Sequence, residues 1–288
     1  MSSTPTPLLS RRSFAQIFTR GLLFSGVGGS GSYAYGRMIE RQRIVVERLE
    51  VRLRGLGTAF DGFRIAQISD LHLEPNVDRA LLIKGVDMIN ALKPDLIVLT
   101  GDYVTSDASR AAELTAPLAA LKAPAGVVFC LGNHDVWTSA NRVSTIIHQH
   151  GLTPLRNAGF ALTRQNEPVW IAGLDSVWGG KPDVSRSLKG RPANAPCILL
   201  AHEPDYADTL APQMSAGTLQ LAGHTHGGQV CLPGGFPLRL PMWGRKYAKG
   251  LFRVGPMQLY VNRGLGTIGP KARFACAPEI TEITLRSA

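Results

Sequence analysis

Apolar positions along this chain fall into short runs separated by segments of helical period. Leu49, Val51 and Leu53 alternate with Glu50, Arg52 and Arg54, the period-two pattern of a half-buried strand. Beyond them, residues 63–69 read as a strand, and residues 78–92 as a helix with Leu82, Val86 and Ile89 on one face. Residues 95–100 read as a buried strand, and Pro94 marks the break before it. The pattern repeats with a helix over 107–122, a strand over 127–131 and a helix over 140–150, which makes consecutive βαβ units. Between 153 and 174 the spacing shortens to antiparallel hairpins, with Asn157, Gly159 and Asn166 at bends. Buried strands follow at 197–201 and 219–222, and strands at 260–262 and 280–285 close the chain. No repeat of solenoid length, low-complexity tract or second domain boundary interrupts this alternation.

The C-terminal ends of these strands carry the chemistry. Successive ends deliver Asp70-Leu71-His72, Gly101-Asp102, Gly132-Asn133-His134-Asp135, His202-Glu203-Pro204-Asp205 and Gly223-His224-Thr225-His226. In open α/β sheets the loops beyond the strand ends share one crevice, so distant residues can meet there. Carboxylate, amide and imidazole donors together suit borderline divalent ions such as manganese, iron or zinc. The D-x-H and H-x-H spacings let alternate residues of an extended segment point to one side, so each pair can chelate. Any one of these residues alone has a plainer explanation, a core histidine or an Asp capping a helix. Five consecutive strand ends do not. His148 and His150 fall within a helix and read as structural.

The composition sets the frame for that site. The chain has 288 residues, 44% of them hydrophobic, enough for one large core and a short appendage and too many for a disordered chain. The net charge of +10 is unevenly placed. Residues 1–54 hold nine Arg against three Glu, and no acidic residue lies between Asp208 and Glu279, where eight basic ones do. That stretch attracts anions. It includes the apolar, aromatic and basic run from Phe236 to Tyr247, which reads either as a hairpin packed on the sheet or as a lip. As a lip, Leu240, Met242 and Trp243 would meet acyl chains or a membrane surface. Arg245, Lys246 and Arg263 are candidate contacts for phosphate or anionic headgroups. No helix-turn-helix, zinc-finger or RNA-binding pattern accompanies the charge, so no specific nucleic acid is expected. Cys130, Cys197, Cys231 and Cys276 are widely spaced without a CxxC, and read as small packed hydrophobes, with a disulfide as the alternative.

The N-terminus reads as an address. Arg11-Arg12, an aromatic at Phe14 and a glycine-rich, weakly apolar stretch over 17–36 resemble a twin-arginine export signal, which would engage the twin-arginine (Tat) translocation machinery. The division expected is a signal or membrane anchor over 1–36, a linker and leading strand over 37–59, and a catalytic domain over 60–288.

In their order, D-x-H, G-D, G-N-H-D, H and G-H-x-H over residues 60–286 resemble the calcineurin-like metallophosphoesterases. GHTHGGQ at 223–229, Asn262-Arg263-Gly264-Leu265-Gly266 and the arginine-type leader are similar to a bacterial exported or membrane-associated branch, related to UDP-2,3-diacylglucosamine hydrolases. The resemblance implies a four-layer αββα sandwich of two mixed sheets flanked by helices, and two divalent metal ions with manganese favoured. It implies Asp70, His72 and His226 on one ion, Asn133, His202 and His224 on the other, and Asp102 between them. His134 would be the catalytic acid, with Asp135 beside it as its positioning group. The second motif, Gly101-Asp102-Tyr103-Val104-Thr105, lacks the further acidic residue of many relatives. The expected activity is that of a phosphodiesterase or pyrophosphatase on a substrate such as a lipid-linked nucleotide sugar, outside the cytoplasm or at the membrane. The alternatives are a phosphomonoesterase (including a protein phosphatase), a cyclic-nucleotide phosphodiesterase, and a metal-binding module without turnover.

Overall fold

In a computed structural model, residue 29 and residues 31–72 and 79–288 are described. Two six-stranded sheets face each other. The first runs in the order β1 (Val45–Leu53), β14 (Glu279–Ser287), β2 (Arg64–Ile68), β3 (Leu96–Thr100), β4 (Val127–Cys130) and β5 (Thr153–Pro154). From β2 to β5 it is parallel, and β14 enters antiparallel to β2. The leading strand β1 lies parallel to the last one, Val45 opposite Glu279 and Leu53 opposite Ser287, so the two ends of the domain are joined at one edge. The second sheet runs β12 (Gly250–Val254), β13 (Met257–Val261), β9 (Thr218–Ala222), β8 (Cys197–Leu200), β7 (Glu167–Gly173) and β6 (Ala158–Arg164). Its four central strands are parallel and its edges antiparallel.

Three apolar layers follow from the two-residue period of the strands. Ile65, Leu96, Val98 and Val128 face Ile171, Ile198, Leu219 and Leu221 between the sheets. Ala66, Ile97, Leu99 and Phe129, the intervening positions, pack on the helices α1 (Arg79–Leu92) and α3 (Asn133–Gln149). Leu199, Met257 and Leu259 pack outward against Ala207 and Leu210 of a short helix, Ala207–Leu210. Both faces of each sheet are covered, which is why the parallel strands are continuous apolar runs. This is the expected αββα sandwich of mixed sheets.

Two expected helices differ. Residues 107–122 form a broken ribbon: 3-10 turns at Ala108–Arg110 and Ala116–Ala120 around the single α-turn Ala111–Thr115, which ends just before Pro117. The helix expected over 140–150 begins seven residues earlier, at Asn133, and is interrupted at Ser139. The GNHD segment is therefore a helix start, with His134 in the first turn. Among the described residues no helix is long and apolar enough to cross a membrane. The expected leader lies almost wholly outside them, including Arg11 and Arg12. Its last residues, 31–36, lie in a helix that runs to residue 38 and sits against the 272–276 segment, where Gly36 O accepts from Arg273 N at 3.0 Å.

Candidate metal centre

At the C-terminal ends of the parallel strands the two sheets are stapled by buried Gln67, whose Nε2 donates to Thr100 Oγ1 (3.1 Å) and across the sheets to Ala222 O (2.9 Å). Immediately beyond it the five strand ends converge. Asp70, His72 and His226 form one cluster, and Asp102, His202 and His224 another. A single oxygen, Asp102 Oδ2, lies 3.4 Å from His72 Nε2 and 3.1 Å from His202 Nε2. Asp102 thus stands between the clusters.

The backbone that brings them together is not extended. Asp70, His72, Asp102, His224 and His226 all have positive φ, between 42° and 74°. The alternation argument from the D-x-H and H-x-H spacings therefore fails: Asp70 and His72 share a cluster without an extended backbone, and His224 and His226 fall in different clusters. The chain turns through left-handed residues after each strand, a conformation that costs about 1 kcal/mol or more per residue and persists where the surroundings over-determine it. Close approach explains the glycines of the motifs. A methyl group on Gly132 would collide with the Asp102 carboxylate, and one on Gly223 with Ser69 and Asp70. The 262–266 segment buttresses the first turn, with Leu265 N donating to Ser69 O (2.9 Å) and Gly266 N to Asp70 O (2.8 Å).

Hydrogen bonds fix which imidazole nitrogen is free. His202 Nδ1 donates to Thr100 O (2.6 Å) and His224 Nε2 to Met242 O (2.7 Å). This leaves His202 Nε2 and His224 Nδ1 as lone-pair acceptors 3.2 Å apart. Two such acceptors repel unless a proton or cation lies between them, and metal–nitrogen bonds of about 2.0–2.1 Å put adjacent donors about 3 Å apart. His226 Nε2 and Asp70 Oδ1 are 3.4 Å apart. Asn133 is buried with neither side-chain atom bonded to a protein group, the condition of an amide oxygen waiting for a cation. The donor set fits divalent metals.

The electrostatics agree for Asp102, His224 and His226 and run the other way for His202. Burial raises the Asp102 carboxyl, but His202 and His72 outweigh it and hold it well below the usual carboxylate range. Burial, with His202 as the next cause, lowers His224. Burial, then His72 and Arg273, lowers His226 strongly. Both are thereby kept as neutral imidazoles, the ligand form. Burial opposes charge on His202, yet Asp102 raises it well above an ordinary histidine.

The family of calcineurin-like phosphoesterases matches residues 63–228. The chain is a calcineurin-like metallophosphoesterase. The uncharacterized metallophosphoesterase YkuE of Bacillus subtilis is 36% identical over 97% of this chain and 98% of its own. The phosphodiesterase YaeI of Escherichia coli is 33% identical over 77% of this chain and 82% of its own. The UDP-2,3-diacylglucosamine pyrophosphatase LpxG of Chlamydia trachomatis is 30% identical over 86% and 91%. Members of this family are hydrolases of phosphoesters, and the metallophosphoesterase described here is an enzyme of that class.

Other expected site residues fall differently. His134 is half-buried and forms a third group with His72 and Asp102, and its Nδ1 donates to Thr105 O (2.7 Å), which leaves Nε2 without a protein hydrogen bond. Asp135 does not position it. Its Oδ2 accepts from Gly132 N (2.9 Å) and Asp102 N (2.8 Å), and its Oδ1 from Tyr103 N (2.8 Å) and Val104 N (3.3 Å). Asp135 is a buried clamp on the Asp102 turn, because the first turn of α3 points its side chain back at the chain entering the helix. Burial and Asp102 push its carboxyl up to about 7, and the N–H groups act in the opposite direction. Arg245 lines the cavity over the clusters. Lys246 does not, since its Nζ is bound to Asp208 at 2.8 Å. Arg263 is held by Glu279 (2.6 Å) and Glu47 (2.5 Å) behind the site. Trp243 packs its ring edge-on against Tyr206, at 6.4 Å, outside the cavity wall. His148 and His150 are structural as expected, bonded to Leu152 O and Thr115 Oγ1.

Four residues escaped the sequence reading. Trp137 and Trp178 form an aromatic arc over the site, with ring centroids 5.0 Å from His134 to Trp137, 4.7 Å between the indoles and 5.7 Å from Trp178 to His224. Buried Glu203 holds that arc by accepting from Val177 N (3.1 Å), Trp178 N (3.3 Å) and the Ser176 hydroxyl. Arg273, fully buried, binds the carbonyls of Arg263, Gly264 and Gly266 and so fixes the buttress from below. Glu203 alone had a signal, its place next to His202.

Proposed function

We propose that this metallophosphoesterase hydrolyses a phosphodiester or pyrophosphate whose two substituents differ, one lipid-like and one polar. The observation that carries the reading is a pair of cavities that meet at His134 and Trp137. One, of about 660 Å³, lies over the metal clusters and has walls of Val230, Leu238, Leu240, Pro241, Met242 and Ile268. Arg239 and Arg245 stand on the same wall. The other, of about 620 Å³, is bordered by Thr105, Ser106, Ser109, Thr138, Ser139 and Arg142. A terminal phosphate needs one enclosed recess. A diester needs room on both sides of the phosphorus, and that favours it over a phosphomonoester.

When bound, two divalent cations, with manganese favoured, supply charge neutralisation of the phosphoryl oxygens and an acidified water. Asp70, His72 and His226 would hold one, Asn133, His202 and His224 the other, and Asp102 both. His134 has Nε2 available to hold or move a proton at the leaving oxygen, with its ring fixed through Thr105 O. The aromatic arc excludes water on one side, and Arg239 and Arg245 counter the substrate's negative charge.

An apolar surface supports the lipid-like half and a location at a membrane. The hairpin β10 (Cys231–Leu232) and β11 (Phe236–Pro237) leaves Leu232, Phe236 and Leu238 exposed at the cavity mouth, with Met242 beside them. Tyr33, near the end of the expected leader, and Met38 and Ile39, just past it, are exposed too. The two features adjoin, because Tyr35 meets Phe274 edge-on and Phe274 bridges to Val230 at the hairpin base. A bilayer contacting both would face the cavity.

The test is a panel of esters given to the metal-loaded full chain. A lipid-linked pyrophosphate in anionic vesicles and a soluble diester should both be cleaved, and simple monoesters should be poor substrates. Leu232→Ser with Phe236→Ser, neither in the cavity wall, should lower the vesicle rate about tenfold, the effect of losing two partly inserted side chains. Preference for monoesters, or equal rates on vesicles for the variant, would refute the reading.

A further inference from the structure

We infer that Cys231 and Cys276 form a disulfide when this protein stands in an oxidising compartment. The four cysteines divide by place. Cys130 lies in the core between the sheets and Cys197 in the outer core of the second sheet. Cys231 and Cys276 lie together at the rim of the metal centre, both buried. Their sulfurs share one acceptor, Gly227 O, at 3.3 Å from Cys231 Sγ and 3.5 Å from Cys276 Sγ. Cys276 Sγ also lies 3.2 Å from His226 O, the neighbouring carbonyl of the same turn.

Backbone ties bring them face to face. Cys231 N donates to Phe274 O (2.9 Å), and Phe274 N donates to Gln229 O (3.0 Å). Val230 and Phe274 form a β-bridge. Two segments far apart in sequence are thus laced side by side one or two residues from each thiol, so little backbone movement separates the dithiol from the bond. Disulfide geometry tolerates no large separation. A small apolar residue would fill either position as well as a thiol does. Two thiols gathered on one carbonyl are explained by the bond they can make.

The reaction balances with a disulfide of the glutathione or protein-oxidase class as oxidant. One thiolate attacks that disulfide and releases the first reduced thiol. The partner cysteine then attacks the mixed disulfide, forms Cys231–Cys276 and releases the second, with two protons lost from the two cysteines and taken up by the two departing thiols. Access comes by opening of the hairpin, whose strands have two residues each and are held by few contacts. The product would lock the hairpin that walls the cavity to the 272–276 segment, which touches the turn carrying His226 through Cys276 Sγ and His226 O (3.2 Å). It would also close the stretch between 231 and 276, which contains the whole basic loop.

Purified full chain, reduced and then equilibrated with glutathione disulfide, is alkylated and digested without reductant for mass spectrometry. One cross-linked peptide joining Cys231 to Cys276 is expected, with Cys130 and Cys197 alkylated only after denaturation. The oxidised form should melt on the order of 5–10 °C above the reduced one. Amide exchange over residues 231–237 should slow. Cys231→Ser and Cys276→Ser should each abolish the redox-dependent shift. Recovery of both residues as free thiols or glutathione adducts, or an oxidised form no more stable than the reduced, would overturn the inference. Because this readout needs neither substrate nor export, it stands or falls apart from the proposed function.

Discussion

Replacing Asp135 by Asn separates two roles for the carboxylate of GNHD. If it positions His134, the variant should fold normally and lose turnover. The structure gives it four backbone donors and none from His134, so the loss should appear in stability. The amide keeps one acceptor oxygen and presents an NH2 group to the other pair of donors, either Gly132 and Asp102 or Tyr103 and Val104. Each buried N–H left without an acceptor costs about 1–3 kcal/mol, so two cost about 2–6 kcal/mol. Taking about 4 kcal/mol, Tm should fall by about 8–16 °C for a chain of this size. Urea denaturation at pH 8, with the wild-type carboxyl ionised, measures the loss. Doing so in the presence of a chelator keeps metal linkage from adding to it. Metal content should drop as well, because the clamp holds the Asp102 turn. A variant within about 0.5 kcal/mol of wild type that retains its metals and fails to turn over would refute this reasoning and restore the positioning role.

Asp102→Ala should empty both metal clusters by elemental analysis, whereas His134→Ala should keep the metals and lose turnover by roughly two to four orders of magnitude. Full activity of the His134 variant would end its assignment as the acid. Lys246→Ala should leave turnover within about twofold, since its ammonium is committed to Asp208 at the surface, while Arg245→Ala should weaken apparent substrate affinity; steady-state kinetics on a soluble diester distinguishes them. Changing Arg11 and Arg12 both to Lys should hold a folded, active enzyme in the cytoplasm, as read by cell fractionation, because the charge stays and the receptor-read pair is lost.

The residues that cluster at the strand ends were legible in the chain because local order places them there. A parallel strand of four to five buried residues must end somewhere, and the polar residues that follow each apolar run are the crevice by the geometry of the sheet. Asp70, His72, Asp102, Asn133, His202, His224 and His226 could be named in this way, and the alternation of strand and helix showed βαβ units, whereas the αββα layering came only from the family resemblance. Tertiary structure decided what those residues and their neighbours touch. Left-handed turns rather than extended alternation aim Asp70 and His72, because Gly223 and the 262–266 buttress press on that loop from elsewhere in the chain. Asp135 faces the Asp102 turn rather than His134, since the helix begins at Asn133 and not at Ala140. Lys246 and Arg263 look equivalent to Arg245 in a run of basic residues, but Asp208 and Glu279 claim them, and a pairing across 38 or 16 positions leaves no local trace. Trp137 and Trp178 belong to different layers and meet over the metals only when the two sheets close. Periodicity and composition report what one element needs from its own neighbours in sequence. Direction, pairing and enclosure depend on where other elements arrive, and only the assembled sandwich contains that information.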